Sequence, residues 1–377
     1  MNFWKKIYSV CMGTSAEDKK SEVKKEEEII IDYTDAAKTE EGKAVYQQAL
    51  EYARTSQEEG YDSAKMFEMV KKAALLGNTA AQERLWHCYR YGAGTEENKS
   101  LAMKWLMESA THGNIDAQCR MGHCYSLASG VKKDYQESIR WYTMAAEQDS
   151  IKAWRELAEI YGNIRTGMYD RKKAFQCWKK ADELGDDSCS WQLAWRYERG
   201  VGTDIDEEKA FEYYQKAYEY FGKSDEKTSE YRLAMAGLAN MYRYGKGVEM
   251  DREKAYSLYE QLANEGDVNA MKMAADMHRL KEIEKVDIYQ VYKWYADAAK
   301  NGSKEAINFM VKVTRYIKED MEKGDKTYGK LSFDEEYTLT AEENGKKIVI
   351  KDIGKTELLC RLQDAFDRIE RESGANY

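Results

Sequence analysis

Small residues return along this chain at a fixed interval. Ala73, Ser109, Ala145, Ala181 and Ala217 lie 36 apart, Leu262 follows after 45, and Ala298 after another 36. A second ladder, Ala81, Ala117, Ala153, Cys189, Ala234, Ala270 and Ala306, takes the same steps with the same jump. The shared jump places a nine-residue insertion between Ala217 and Ala234, around Phe221 to Tyr231. A period of this length marks stacked supersecondary units, because one such unit cannot bury its own apolar face.

Each period reads as two helices. In the first, Ala81, Leu85 and Tyr89, like Ala117, Met121 and Tyr125, fall at i, i+4 and i+8 on one stripe. The second carries small, aromatic and small positions, as in Ser138, Trp141 and Ala145 or Ala210, Tyr213 and Ala217. Asp62, Asn98, Asp134, Asp170, Asp206, Asp251 and Asp287 form a column ahead of the second helices. Asp or Asn there accepts a bond from an unpaired first-turn amide, so the column reads as caps and not as catalysts. Glu137 and Gln290, three residues further on, fit a capping box.

Composition agrees with helix. The 377 residues include no proline, where average usage of about 5% would give roughly 19, so long helices run uninterrupted. Hydrophobic residues make up 43% and aromatics 12%, enough to fill a large interior. The formal charge of −9 argues against a general nucleic-acid binder, which shows a basic footprint. Seven irregularly spaced cysteines indicate reduced thiols and not a disulfide framework, with Cys88, Cys124 and Cys177 at core positions. The opening "MNFWKKIYSVCMG" lacks the apolar core of a secretory signal. No stretch approaches the ~20 apolar residues of a membrane span. Phe3, Trp4, Ile7 and Tyr8 read either as a short amphipathic contact with a membrane or partner, or as a frayed or docked terminus.

The strings "YRYGAGT" at Tyr89, "YERGVGT" at Tyr197 and "YRYGKGV" at Tyr242 pose a choice between a phosphate loop and a turn. A Walker-type loop needs Lys-Ser/Thr after its last glycine and a strand before it, and neither is present. Gly92, Gly200 and Gly245 fall just after a first helix, where a residue of positive φ ends it, while Gly94, Gly202 and Gly247 sit in the connection.

These strings, with "YRYGKGVEMDREKAYSLYEQLANEGDVNAM" as the fullest match, resemble Sel1-like repeats, a subfamily of the tetratricopeptide-like helical repeats. The resemblance spans roughly Tyr61 to Thr314 and departs at "YSLASGV", "YGNIRTG" and "HRLKEIEKV", whose loops are expected to differ in shape. It implies an all-α fold, an α/α superhelical solenoid of about seven 36-residue helix-turn-helix repeats. It also implies an adaptor that binds a protein partner on its concave face, with no catalytic residue carried over. The expected organisation is an extension over 1–40, the array over 41–318 and a cap over 319–377. In the cap, "EYTLTAEENGKKIVIKDI" alternates around Asn344-Gly345 as a β-hairpin. Leu358, Leu359, Leu362, Phe366 and Ile369 then share one helix face, which folds back on the array or on a partner.

The partner face is read from first-helix positions that vary between repeats. These are Glu83, His87 and Arg90; Cys119, His123 and Ser126; Arg155 and Glu159; Trp191, Trp195 and Glu198; Asn240 and Arg243; Lys272, Asp276 and Arg279; and Asn308, Lys312 and Arg315. Trp191 and Trp195, one turn apart, are the anchor candidates, since Trp and Arg dominate binding hot spots; the alternative is packing against the insertion. A narrower variant is an immunity-type protein that occludes a toxin or effector. A reading of a different class is a metal-binding or hydrolytic protein using His87, Cys119 and His123 as zinc ligands, although neighbouring helices about 10 Å apart oppose convergence. The expectation is a non-enzymatic, cytoplasmic, bacterial-type scaffold with a protein partner and no cofactor.

Overall fold

The computed structural model describes residues 31, 33, 35–55, 61–224, 228–280, 282–283, 288–323, 336–343 and 346–372. Phe3, Trp4, Ile7, Tyr8, Asp287 and the Asn344-Gly345 pair lie outside them. The chain falls into two compact units, Met1–Cys189 with Val201–Thr203, and Ser190–Gly200 with Asp204–Tyr377. The first holds α1 (Ala36–Thr55), α2 (Ser63–Leu75), α3 (Thr79–Tyr91), α4 (Lys99–Thr111), α5 (Ile115–Leu127), α6 (Tyr135–Ala146), α7 (Ile151–Gly162) and α8 (Arg171–Glu183). The second holds α9 (Ser190–Arg199), α10 (Glu207–Gly222), α11 (Ser229–Tyr244), α12 (Arg252–Asn264), α13 (Val268–Arg279), α14 (Ile288–Lys300), α15 (Lys304–Lys323), strands β1 (Glu336–Glu343) and β2 (Lys346–Gly354), and α16 (Lys355–Glu372). Within each unit a helix packs chiefly on its neighbours in sequence, so the fold is built of consecutive helix pairs.

The small-residue ladders are buried where two helices meet: Ala73, Ala81, Ala117, Ala145, Ala153 and Ala181 are fully buried in the first unit, and Ala217, Ala234, Leu262 and Ala306 in the second. Their small side chains let helices approach closely, and aromatics fill the remaining space. The nine-residue insertion is absorbed mostly by longer helices: α10 and α11 each have 16 residues, against 13 in α2 to α5.

Asp62, Asn98, Asp134, Asp170, Asp206 and Asp251 all cap their helices, each side chain accepting from first-turn amides. Their own amides do a second job. Asn98, Asp134, Asp170, Asp206 and Asp251 each donate to the carbonyl of the tyrosine nine residues earlier, at 2.7 to 3.0 Å. This corrects the capping-box reading of Glu137: the Asp134 N–H is taken by Tyr125, and Glu137 lies 3.7 Å from Arg140 instead.

The paired glycines divide two tasks. Gly92, Gly200 and Gly245 have φ of 66, 65 and 66°, the left-handed conformation that ends a helix. In "YSLASGV" Ala128 takes the same conformation, φ 59°, so that helix ends in the same way without glycine. In "YGNIRTG" a 3₁₀ turn over Ile164–Thr166 replaces it. The second glycine is selected by crowding. A Cβ on Gly94, Gly202 or Gly247 would stand 2.0 to 2.1 Å from the carbonyl oxygen of Ser63, Arg171 or Glu207, the first residue of an earlier second helix.

At the C-terminus β1 and β2 pair antiparallel, with Glu343 opposite Lys346 and Thr340 opposite Val349. Leu358, Leu362, Phe366 and Ile369 of α16 are buried in one cluster with Met310, Val313 and Ile317 of α15. Arg361 donates to Asp320 at 2.5 Å and Arg368 to Glu319 at 2.9 Å, flanking that apolar seam. Thus α16 covers the end of the helix array; the side chain of Leu359 lies outside the described residues.

Candidate functional site: the first-helix faces

In the first unit the first helices α3 and α5 build a cluster of arginine, histidine and aromatic rings. Two guanidiniums stand over the Trp86 ring, that of Arg120 at 4.7 Å from its centre and that of Arg90 at 5.7 Å. Arg120 also donates to Glu83 at 2.5 Å, and Glu83 sits 3.5 Å from His87. Arg90 donates to Ser129 at 3.2 Å. The His87 ring stacks on Tyr91, which is 67% exposed. Burial, joined by Arg120 and Arg84, holds the His87 pKa below its ordinary value against the opposing pull of Glu83. Further along, Arg155 and Glu159 are exposed, with Arg155 3.7 Å from Asp186.

The metal reading fails on geometry. Cys119 is 2% exposed, its sulfur 3.6 Å from the Ser150 hydroxyl, and burial raises its thiol pKa. His123, one turn on, is exposed. Among the described residues no group of three or more His, Cys, Asp or Glu side chains is placed to hold an ion.

In the second unit Trp191 and Trp195 of α9 are half-buried. Arg196 and Arg199 stand over the Trp195 ring at 5.7 and 5.6 Å. The other positions chosen there are occupied within the fold. Tyr214 donates to Glu198 at 2.8 Å and Tyr259 donates to Asn240 at 2.8 Å, while Tyr295 bonds Asp276. One second-helix tyrosine column thus secures one polar residue on each of α9, α11 and α13. Arg243 corrects the exposed reading most clearly: it is 5% exposed and makes a two-pronged contact with Glu282, both bonds 2.8 Å. The side chain of Arg279 lies outside the described residues.

Sequence reasoning missed Trp86, Tyr91 and Arg120. Arg120 sits one place beyond the column assigned to Cys119, and a four-residue step from Trp86 to Arg90 was the readable signal.

Paired helices on this repeat define a helical repeat protein, and the comparisons specify which. The family model described as Sel1 repeat matches residues 79–114, 115–150, 156–186, 188–219 and 232–267. The chain is a Sel1-like repeat protein. Such repeats generally mediate protein–protein binding and serve as non-enzymatic scaffolds. Among solved structures, it is similar to c5321, a protective antigen present in uropathogenic Escherichia coli strains displaying an SLR fold. Identity is 24%, TM-score 0.57, with 77% of this chain and 63% of that one covered, so the match spans under two thirds of c5321. A Sel1 repeat protein from Oxalobacter formigenes gives 24% identity, TM-score 0.46 and coverage of 70% and 97%. Immunity protein Pa5087 from Pseudomonas aeruginosa gives 17%, 0.26, and 50% and 82%. Comparison with curated proteins gives no match. No helix among the described residues is long and apolar enough to cross a membrane.

Proposed function

We propose that this chain is a non-enzymatic scaffold whose first helices hold a protein partner, with Trp191 and Trp195 as the anchors in the second unit. The observation that carries the reading is the state of α9. Two tryptophans one turn apart keep part of their surface open, and two guanidiniums lie against the second ring. Tryptophan and arginine are the residue types whose desolvation contributes most to protein interfaces. Glu198, Asn240 and Arg243, being held internally, act as supports for the face and not as its contacts. The setting is a reducing cytoplasm, in keeping with the thiols of Cys88, Cys119, Cys124 and Cys177.

The test is affinity capture from the native cell with wild type and Trp191→Ala/Trp195→Ala, helicity being checked by circular dichroism. Loss of the partner from a folded variant is expected. Equal recovery would remove the two tryptophans as anchors.

A further inference from the structure

A cavity of about 450 Å³ opens in the first unit, lined by Thr143 of α6, Trp154, Leu157 and Tyr161 of α7, and Cys177 and a lysine rim from α8. Its origin is legible in the repeat register. Met69, Trp105, Trp141, Cys177, Tyr213, Leu258 and Trp294 occupy one column of the second helices. Trp105, Trp141 and Trp294 are 3, 2 and 3% exposed, so three repeats fill this place with a buried indole. Cys177, also buried at 5%, is the smallest side chain in the column.

The walls match as well as the gap. Trp141 packs in one cluster with Met121 and Tyr125, and Met107 packs against it. One period of 36 later those positions are Leu157, Tyr161 and Thr143, three of the residues that line the cavity. The cavity is therefore an indole nest whose own indole is missing. Its volume lies in the range of ligand sites, of about 300–1,000 Å³. Burial pushes the Cys177 thiol up to about 12, so the floor is uncharged near neutral pH.

The rim supplies the sign of the occupant. Lys173, Lys179 and Lys180 have side chains 59, 50 and 57% exposed. Two carboxylates face them: Asp170 lies 3.8 Å from Lys173, and Glu183 lies 3.9 Å from Lys179 and 2.6 Å from Lys180. Three cations over two anions leave a net positive edge around an aromatic floor. We propose that this cavity receives an aromatic side chain flanked by carboxylates, presented by an acidic segment of the partner protein. The proposal rests on the scaffold reading but uses residues separate from Trp191 and Trp195.

The test uses the purified full chain and short fluorescein-labelled peptides, read by anisotropy. One peptide carries a tryptophan between runs of aspartate, a second has alanine for that tryptophan, and a third has lysine for the aspartates. Only the first is expected to bind saturably. Cys177→Trp should abolish that binding while raising the melting temperature, because it fills the nest. Lys173→Glu/Lys180→Glu, which leaves the interior untouched, should weaken binding by about tenfold, equal to about 1.4 kcal/mol. Unchanged affinity in both variants, or equal binding of the alanine or lysine peptide, overturns the proposal. Free indole-3-acetate is the last arm: its binding without the acidic peptide would replace the partner segment by a small molecule. All these readings leave α9 intact, so capture lost on Trp191→Ala/Trp195→Ala and peptide binding lost on Cys177→Trp fail independently.

Discussion

At Gly247 and Gly113 the backbone has φ of 64 and 89°, yet the two glycines answer different demands. Nothing lies within 4 Å of a Cβ placed on Gly113, whereas one on Gly247 meets the Glu207 carbonyl oxygen at 2.0 Å. Gly113→Ala should cost about 1–2 kcal/mol for left-handed backbone alone. Gly247→Ala should cost about 1–3 kcal/mol more, because the loop must move off the helix start. Urea unfolding of both variants checks this, and equal losses would mean that close approach does not select the second glycine. His87 gives a pH signature at the same scale. Its pKa is lowered in the fold, so between the ordinary value near 6.5 and the lowered one only the unfolded chain takes up the proton. Stability is full above about pH 6.5 and declines as the pH falls through the lowered value. The melting temperature should drop on acidification less steeply in His87→Gln than in wild type, and identical slopes would refute the linkage.

At the scale of elements, α11 shows where a buried charge is held by its partner. Arg243 is 5% and Glu282 15% exposed at the side chain, and they bond through both guanidinium edges. Arg243→Met should cost about 3–5 kcal/mol by stranding Glu282, and adding Glu282→Met should recover much of it. Thermal unfolding of the single and double variants decides; a double variant no better than the single would show that the pair is not a unit. The same helix explains what was legible. The helices, caps and turns could be read because their signals are local: a small residue every turn or an Asx ahead of it. Exposure of the partner face could not, since Asn240 and Arg243 vary between repeats as surface residues do. What occupies them, Tyr259 and Glu282, comes from other segments of the chain. Variation between repeats reported a change of internal partner there, and not contact with solvent. Cys177 misleads in the opposite sense: it is a buried small residue, as read, but in a column that elsewhere holds tryptophan.

At the scale of the molecule, α16 protects the last repeat helix. Val313 and Ile317 are 0 and 1% exposed beneath it, so a chain ended before Lys355 should bind hydrophobic dyes and scatter light at concentrations where the full chain stays clear. A clear, dye-free truncation would contradict a covering role. The tie between each cap amide and the tyrosine carbonyl nine residues earlier has its own bearing on how such a chain changes length. Five connections with different sequences keep the same count between their anchor points, including the two that lack the Gly-x-Gly string. The added residues of this chain lie instead on the opposite side of the repeat, in the lengthened α10 and α11 and the connection that joins them. One extra residue between Tyr242 and Asp251 should therefore be poorly tolerated, while a graft between Lys223 and Thr228 should fold. That makes the turn joining one repeat to the next the natural port for new sequence, and the turn within a repeat a fixed ruler.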